Sequence, residues 1–136
     1  MGVGYSRTPL AKKLGIKAGH RLALLDAPDE MSGWLAPLPE DITIRRDVRS
    51  GADVVVAFFD RRAALTRRLP ALLRAIYPDG GLWVAWPKKA SGVATDITED
   101  TVRGLGLEAG VVDNKVCAIS EVWSGLRLVH RVENRR

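Results

Sequence analysis

The chain has 136 residues, of which 46% are hydrophobic, and it carries a formal net charge of +5. We expect residues 1–136 to form one domain and to lie in the cytoplasm, because no apolar run approaches the ~20 residues that cross a membrane and the start has no secretory segment. The charge favours anionic partners, but no arginine cluster is interleaved with stacking aromatics, which argues against nucleic-acid binding.

The first strand is predicted over Arg21–Asp26, after a short helix that begins near Pro9. Its apolar run Leu22–Leu25 is continuous, as in a parallel strand covered on both faces. The strand ends at Asp26-Ala27-Pro28-Asp29, which lacks the glycines that let a backbone wrap a dinucleotide. Because Pro28 offers neither conformational freedom nor an amide donor, we do not expect a nucleotide cofactor at this turn.

An edge strand, a central strand and a long helix follow. Ile42–Ile44 alternates as a half-exposed strand does, and the charged residues after it suit a sheet edge. Val54–Phe59 is the strongest buried-strand pattern in the chain. Asp60 then stands where a helix N-cap would, and capping is its expected role. Pro70 interrupts the apolar stripe of this helix, so we expect a kink or two abutting helices.

The stretch Gly80–Asp100 carries the best candidate site. Leu82–Trp86 predicts a buried strand that ends at Pro87, and a cationic loop follows at the strand end, where ligands collect in open α/β sheets. Two ammonium groups can neutralise a phosphate or carboxylate, while a hydroxyl and a flexible backbone can donate hydrogen bonds. The candidate ligand-binding residues here are Trp86, Lys88, Lys89, Ser91 and Gly92.

A second polar group lies further along the chain, at Asp113, Asn114 and Lys115. These residues could supply acid, base or orienting groups if folding gathers them near Lys88 and Lys89. The alternative is an ordinary turn before a strand. Before them, Asp96 or Thr98 can cap a short helix. The sequence identifies no catalytic residue.

The last two strands, Val116–Ile119 and a final one from about Leu126, are joined by too few residues for a crossover helix, so they should pair antiparallel. Trp123 lies in their connection and would be exposed unless it folds over the sheet end. Cys117 stands alone and suits core packing, without an internal disulfide. His20 and His130 are isolated, and no metal site is predicted.

Four segments carry a resemblance to a known family: YSRTPLAKKLGIKAG, GGLWVAWPKKASGVATDITED, VDNKVCAI and WSGLRLVHR. Together they resemble an uncharacterised family of small bacterial proteins, the domain of unknown function numbered three thousand and fifty-two. That family implies no settled activity.

A more distant resemblance concerns the layout of the chain. LGIKAGHRLALLDAP, ADVVVAFF and PDGGLWVAW are similar to the arrangement of Rossmann-like S-adenosylmethionine methyltransferases, although this chain lacks their glycine-rich turn and is one strand and helix short. The fold class we predict is α/β, three-layer and Rossmann-like. It has a mostly parallel sheet of about six strands, an antiparallel C-terminal hairpin and helices on both faces.

Three functional hypotheses follow. The first is a domain without established catalysis that binds an anionic small molecule or a protein partner at loop 86–92. The second is a reduced methyltransferase-like enzyme, the one hypothesis that would use S-adenosylmethionine; otherwise no cofactor is predicted. The third is a homodimeric interaction module formed through the last strands or through Trp83, Trp86 and Trp123.

Overall fold

One six-stranded sheet runs through residues 8–135, the part of the chain that the computed structural model describes; residues 5–7 of the first resemblance segment lie outside it. The strands are β1 (Arg21–Leu25), β2 (Thr43–Arg45), β3 (Val54–Phe58), β4 (Gly81–Pro87), β5 (Val111–Ala118) and β6 (Trp123–His130). They lie side by side in the order β2-β1-β3-β4-β6-β5. The first four are parallel, and β6 runs antiparallel to both of its neighbours, which confirms the predicted C-terminal pair.

Helices cover both faces of this sheet. The short helices α1 (Leu10–Lys13) and α2 (Met31–Leu35) pack on one face, and the longer helices α3 (Arg62–Ile76) and α4 (Glu99–Glu108) pack on the other. The indole Nε1 of Trp83 donates a hydrogen bond to the carbonyl oxygen of Leu14 at 2.9 Å, which ties the end of α1 to the middle of the sheet. The three-layer arrangement follows from apolar residues on both sides of the central strands.

Burial along the strands matches their sequence patterns. Every residue of β3 and β4 is buried, as the continuous apolar runs predict for interior strands. All three residues of β2 are exposed, which suits its place at the edge of the sheet. Among the described residues, no helix is long and apolar enough to span a membrane.

The start of α3 differs from the sequence prediction. Arg61 occupies the N-cap position, and the amide of Arg62 donates to Oδ1 of Asp96 at 2.7 Å. The expectation that Asp60 caps this helix was therefore wrong. The carboxylate of Asp96, from a distant loop, accepts the amide hydrogen bond that a cap would accept. Pro70 lies inside one continuous helix rather than between two. Thr98 caps α4 through a reciprocal pair of hydrogen bonds with Thr101.

The strand topology places a ligand-binding position at one of the two ends of the sheet. The chain passes from β1 to β2 on one side and then returns to β3 on the other side of β1, so the strand order reverses between β1 and β3. In open α/β sheets, ligands bind at the carboxyl ends of the strands beside such a reversal. We call the end of the sheet where β1, β3 and β4 finish the carboxyl edge, and the end where they begin the amino edge. Both names refer to strand ends and not to the edge strands β2 and β5.

Candidate functional site

The reversal between β1 and β3 opens into a cavity at the carboxyl edge, which we call the switch-point cavity. Its volume is about 400 Å³. The residues that line it come from the ends of β1 and β3, the first half of α3 and the start of β6: Asp26, Phe58, Phe59, Asp60, Ala64, Arg67, Arg68 and Trp123. This size and position are typical of a small-molecule site.

The switch-point cavity combines charged groups of both signs with aromatic rings. Asp26, whose φ is 56°, directly follows β1, and Asp60 lies two residues beyond β3. Within residues 8–135, neither carboxylate forms an ion pair or a hydrogen bond. Trp123 folds over the sheet end and packs edge-to-face on Phe58 with ring centroids 5.0 Å apart. Sequence reasoning assigned Asp60 to a cap and so missed this cavity; its place directly after a central strand was the available signal.

A second cavity at the carboxyl edge contains the predicted lysine pair, and we call it the dilysine cavity. It has a volume of about 350 Å³, and its walls are Trp86, Lys88, Lys89, Thr95, Ile97, Thr98, Glu99 and Ser124. The amide of Lys88 donates to the carbonyl oxygen of Val122 at 2.7 Å, which fixes the loop against β6. Neither lysine forms an ion pair with another described residue.

Ser91 and Gly92 hold the loop itself. The Ser91 hydroxyl donates to the carbonyl oxygen of Lys88 at 2.6 Å and accepts from the amide of Val93 at 3.1 Å. Gly92 has φ 78°, a left-handed conformation that favours glycine. Their hydrogen-bonding groups therefore shape the turn that presents Lys88 and Lys89.

Asp113, Asn114 and Lys115 lie at the other end of the sheet from the dilysine cavity. Asp113 pairs with Leu128 of β6, which in turn pairs with Leu82 at the start of β4. Six residues of β4 and its loop separate that level from Lys88, so the distance along the strands is roughly 20 Å. The fold does not gather these two predicted groups into one site.

Asp113 has a structural partner at this end. It accepts a hydrogen bond from Nε of Arg103 at 3.2 Å, and Arg103 also donates to Glu99 and Asp100. The hydrogen bonds that Arg103 donates to Glu99 and then to Asp113 raise the pKa of Arg103. The carboxylate of Asp113 thus joins α4 to β5.

The amino edge holds a third cavity, the amino-edge cavity, with a volume of about 310 Å³. Its charged and titratable walls are Lys13, Lys17, His20, Asp53, Asp79, Lys115 and Arg127. Sequence reasoning missed it because these side chains come from separate segments with no shared spacing.

Two other predictions about reactive groups concern metal ions and the cysteine. Among the described residues, no three His, Cys, Asp or Glu side chains are placed to hold a metal ion. Burial raises the pKa of the Cys117 thiol, although Lys13 and Lys88 partly oppose this, and the side chain packs in the core on the α1 face. The geometry thus gives Cys117 the packing role that its sequence predicts.

No family model matches the chain, and no curated protein sequence matches it. Solved structures share its fold. A SAM-dependent methyltransferase from Aquifex aeolicus aligns with a TM-score of 0.63 at 13% identity, covering 88% of this chain and 86% of that one. A possible exported protein from Bordetella parapertussis aligns with a TM-score of 0.63 at 12% identity, covering 90% and 66%.

A ribosomal protein L11 methylase from Lactobacillus delbrueckii subsp. bulgaricus aligns with a TM-score of 0.54 at 14% identity, covering 90% of this chain and 75% of that one. At such identities, the likeness concerns the fold alone. It confirms the predicted class, a mixed Rossmann-like sheet with the layout of methyltransferases.

Proposed function

We propose that this chain is a ligand-binding domain with a methyltransferase-like layout, and that it binds an anionic small molecule at loop 86–92. The observation that carries the proposal is the position of Lys88 and Lys89. They follow the interior strand β4, they line one cavity, and neither forms an ion pair with another described residue.

The surroundings of the two lysines favour an anion. The first turn of α4 borders the dilysine cavity, and the positive end of the helix dipole adds to the two ammonium charges. Glu99 also lines this cavity, but it is paired with Arg103 and so opposes the lysines less. A phosphate or carboxylate group is the ligand chemistry that such a site recognises.

The methyltransferases with this fold imply S-adenosylmethionine as a cofactor, and the turn after β1 tests whether it fits. That turn runs Asp26-Ala27-Pro28-Asp29-Glu30, so it contains no glycine and Pro28 has no amide to donate. The edge strand β2 ends at Arg45, and Arg46 follows it, where an acidic residue would bind ribose hydroxyls. These residues do not fit the cofactor, and we derive no methyl transfer through it.

Replacement of both loop lysines tests the main proposal. In a thermal-shift screen of phosphates, nucleotides and carboxylates, we expect the parent protein to be stabilised. The variant Lys88→Ala with Lys89→Ala should be stabilised less and should bind anions at loop 86–92 roughly a hundredfold more weakly, because two charge-assisted contacts are removed. The matched control is Lys12→Ala with Arg46→Ala, which removes the same charge from exposed sites outside the cavity. The absence of any stabilising anion would contradict the proposal.

The enzyme alternative has its own test. Calorimetric titration with S-adenosylmethionine at millimolar concentration should show no saturable binding, because the turn after β1 offers neither glycine nor a Pro28 amide. Saturable binding would instead favour a reduced methyltransferase, with the switch-point cavity as its site.

The homodimer hypothesis is favoured by one feature, the edge strand β5, where Val116 is 58% exposed. The tryptophans favour it less, because Trp83 and Trp86 are buried and Trp123 packs on Phe58 of its own chain. Light scattering at high protein concentration tests it.

Membership of the uncharacterised bacterial family numbered three thousand and fifty-two also stays a prediction.

A further inference from the structure

The amino-edge cavity gathers more positive than negative charge. Lys13 lies at the end of α1, Lys17 precedes β1, and Lys115 and Arg127 lie on β5 and β6. Two carboxylates also line this cavity. Asp53 already accepts hydrogen bonds from the amide and the guanidinium of Arg21, so only the carboxylate of Asp79 is left to offset the four cations.

Arg127 is half-buried, yet no other described residue accepts a hydrogen bond from its side chain or forms an ion pair with it. Its guanidinium lies directly over Gly81, where a β-carbon would overlap it. Burial and then the charge of Arg135 lower the pKa of Arg127. A half-buried arginine side chain that lines a cavity and has no acceptor in the protein is expected where a ligand supplies that acceptor.

Lys115 lies directly opposite Arg127 across the antiparallel pair of β5 and β6. The register shifts between Asp113 and Lys115, and this irregularity turns Lys115 towards Arg127 while Asp113 remains beside α4. Like charges directly opposite each other on neighbouring strands are destabilising. An anion between them would remove that repulsion.

His20 adds a further donor to the same cavity. Its Nδ1 accepts a hydrogen bond from the amide of Lys17 at 3.1 Å, so the proton of the neutral ring is on Nε2. The wall therefore offers ammonium, guanidinium and imidazole N–H groups from four separate elements and loops.

We propose that the amino-edge cavity binds a compact phosphorylated metabolite, with a phosphate group between Lys115 and Arg127. A doubly charged phosphate matches several converging cations, and the planar fork of arginine fits its oxygens. The volume of about 310 Å³ is at the lower end for small-molecule sites, so the ligand must be compact. This site is separate from the dilysine cavity and does not depend on the function proposed for it.

Calorimetry with pyrophosphate and inorganic phosphate at constant ionic strength tests the site. We expect pyrophosphate to bind the parent protein and each of Lys115→Ala and Arg127→Gln to weaken binding about tenfold or more, because each removes a charge-assisted contact. Lys12→Ala is the matched control, since Lys12 lies on the same helix as Lys13 but outside this cavity, and it should bind as the parent does.

One further variant and one measurement without ligand separate a loss of binding from a loss of folding. Gly81→Ala retains every charge but displaces the guanidinium of Arg127, so it should weaken pyrophosphate binding as Arg127→Gln does. Without ligand, Lys115→Ala should raise Tm by about 1 °C, because it relieves repulsion between opposed cations. A fall in Tm would contradict that repulsion and the proposal with it.

The remaining outcomes also decide the proposal. No binding of pyrophosphate to the parent protein overturns it. Equal weakening by Lys12→Ala overturns it, since the attraction would then be general surface charge. Loss of binding in Lys88→Ala with Lys89→Ala, but not in Lys115→Ala, assigns the anion to the dilysine cavity and overturns the amino-edge site while leaving the proposed function intact.

Discussion

At the residue scale, carboxylates fasten elements that are far apart in the chain. Asp96 accepts the first amide hydrogen bond of α3 from Arg62, 34 residues away, and Asp53 accepts from the backbone and side chain of Arg21, 32 residues away. Each contact satisfies a donor that its own element leaves unpaired. Single carboxylates therefore hold the start of α3 and the start of β1.

The capping of α3 gives a prediction that separates two aspartates. Asp96→Ala should lower the free energy of unfolding by about 1 kcal/mol, because the amide of Arg62 loses its acceptor. Asp60→Ala is the control, and it should change stability by less than about 0.5 kcal/mol, because Asp60 is exposed and caps nothing. Urea denaturation of both variants measures the difference. Equal losses would contradict the assignment of the cap to Asp96.

Asp53 predicts a dependence of stability on pH. Burial raises its pKa, but hydrogen bonds from the Arg21 amide and guanidinium outweigh this, so the net pKa lies below its ordinary value of 3.8. A lowered pKa in the folded state stabilises the protein above the ordinary value, and this contribution is lost as pH falls through the folded value. Since the pair is partly exposed, the contribution is at most about 1 kcal/mol.

Thermal unfolding between neutral pH and about pH 2 measures this effect. Asp53→Asn should be less stable than the parent at neutral pH, and the difference should shrink as pH falls below the ordinary pKa of 3.8. A difference that stays constant across this range would assign the effect to packing instead of charge.

At the element scale, α4 contains two glycines whose surroundings are opposite. A β-carbon at Gly104 would meet nothing within 4 Å, whereas one at Gly106 would lie 2.8 Å from Cδ2 of Leu128. Gly104→Ala should therefore add about 0.5–1 kcal/mol of stability through helix propensity alone. Gly106→Ala should lose that gain or destabilise by about 1 kcal/mol, since Leu128 must shift in a packed core. Denaturant midpoints compare the two directly, and an equal gain in both would show that the contact with Leu128 is loose.

The elements themselves were largely predictable from the sequence. Apolar runs identified β1, β3 and β4, and the short connection after β5 predicted the antiparallel pair. These patterns are local, because burial on both faces selects apolar residues at every position. The cap of α3 was not predictable, because Asp60 is adjacent in sequence whereas Asp96 reaches Arg62 only through the tertiary fold.

At the scale of the whole molecule, the sheet separates charge into two opposite edges. The dilysine cavity lies at the carboxyl end of β4, and Lys115 and Arg127 lie level with Trp83 near its amino end. The dilysine cavity was predictable because Lys88 and Lys89 are consecutive residues after a strand. The amino-edge cavity was not, because Lys115 and Arg127 become neighbours only through the β5–β6 register. The irregularity before Lys115 decides the face of the sheet on which Lys115 lies.

This separation predicts how the two proposed anion sites combine. They lie roughly 17 Å apart along the strands and share no lining residue, so changes at one should not alter the other. We expect calorimetry of the parent protein with pyrophosphate to give two equivalents. Lys115→Ala should weaken one about tenfold or more, and the further change of Lys88 and Lys89 to alanine should weaken the second roughly a hundredfold, with additive losses of Tm shift. If the first substitution weakened both equivalents equally, the anions would share one site, and the opposite edges of the sheet could not both be binding surfaces.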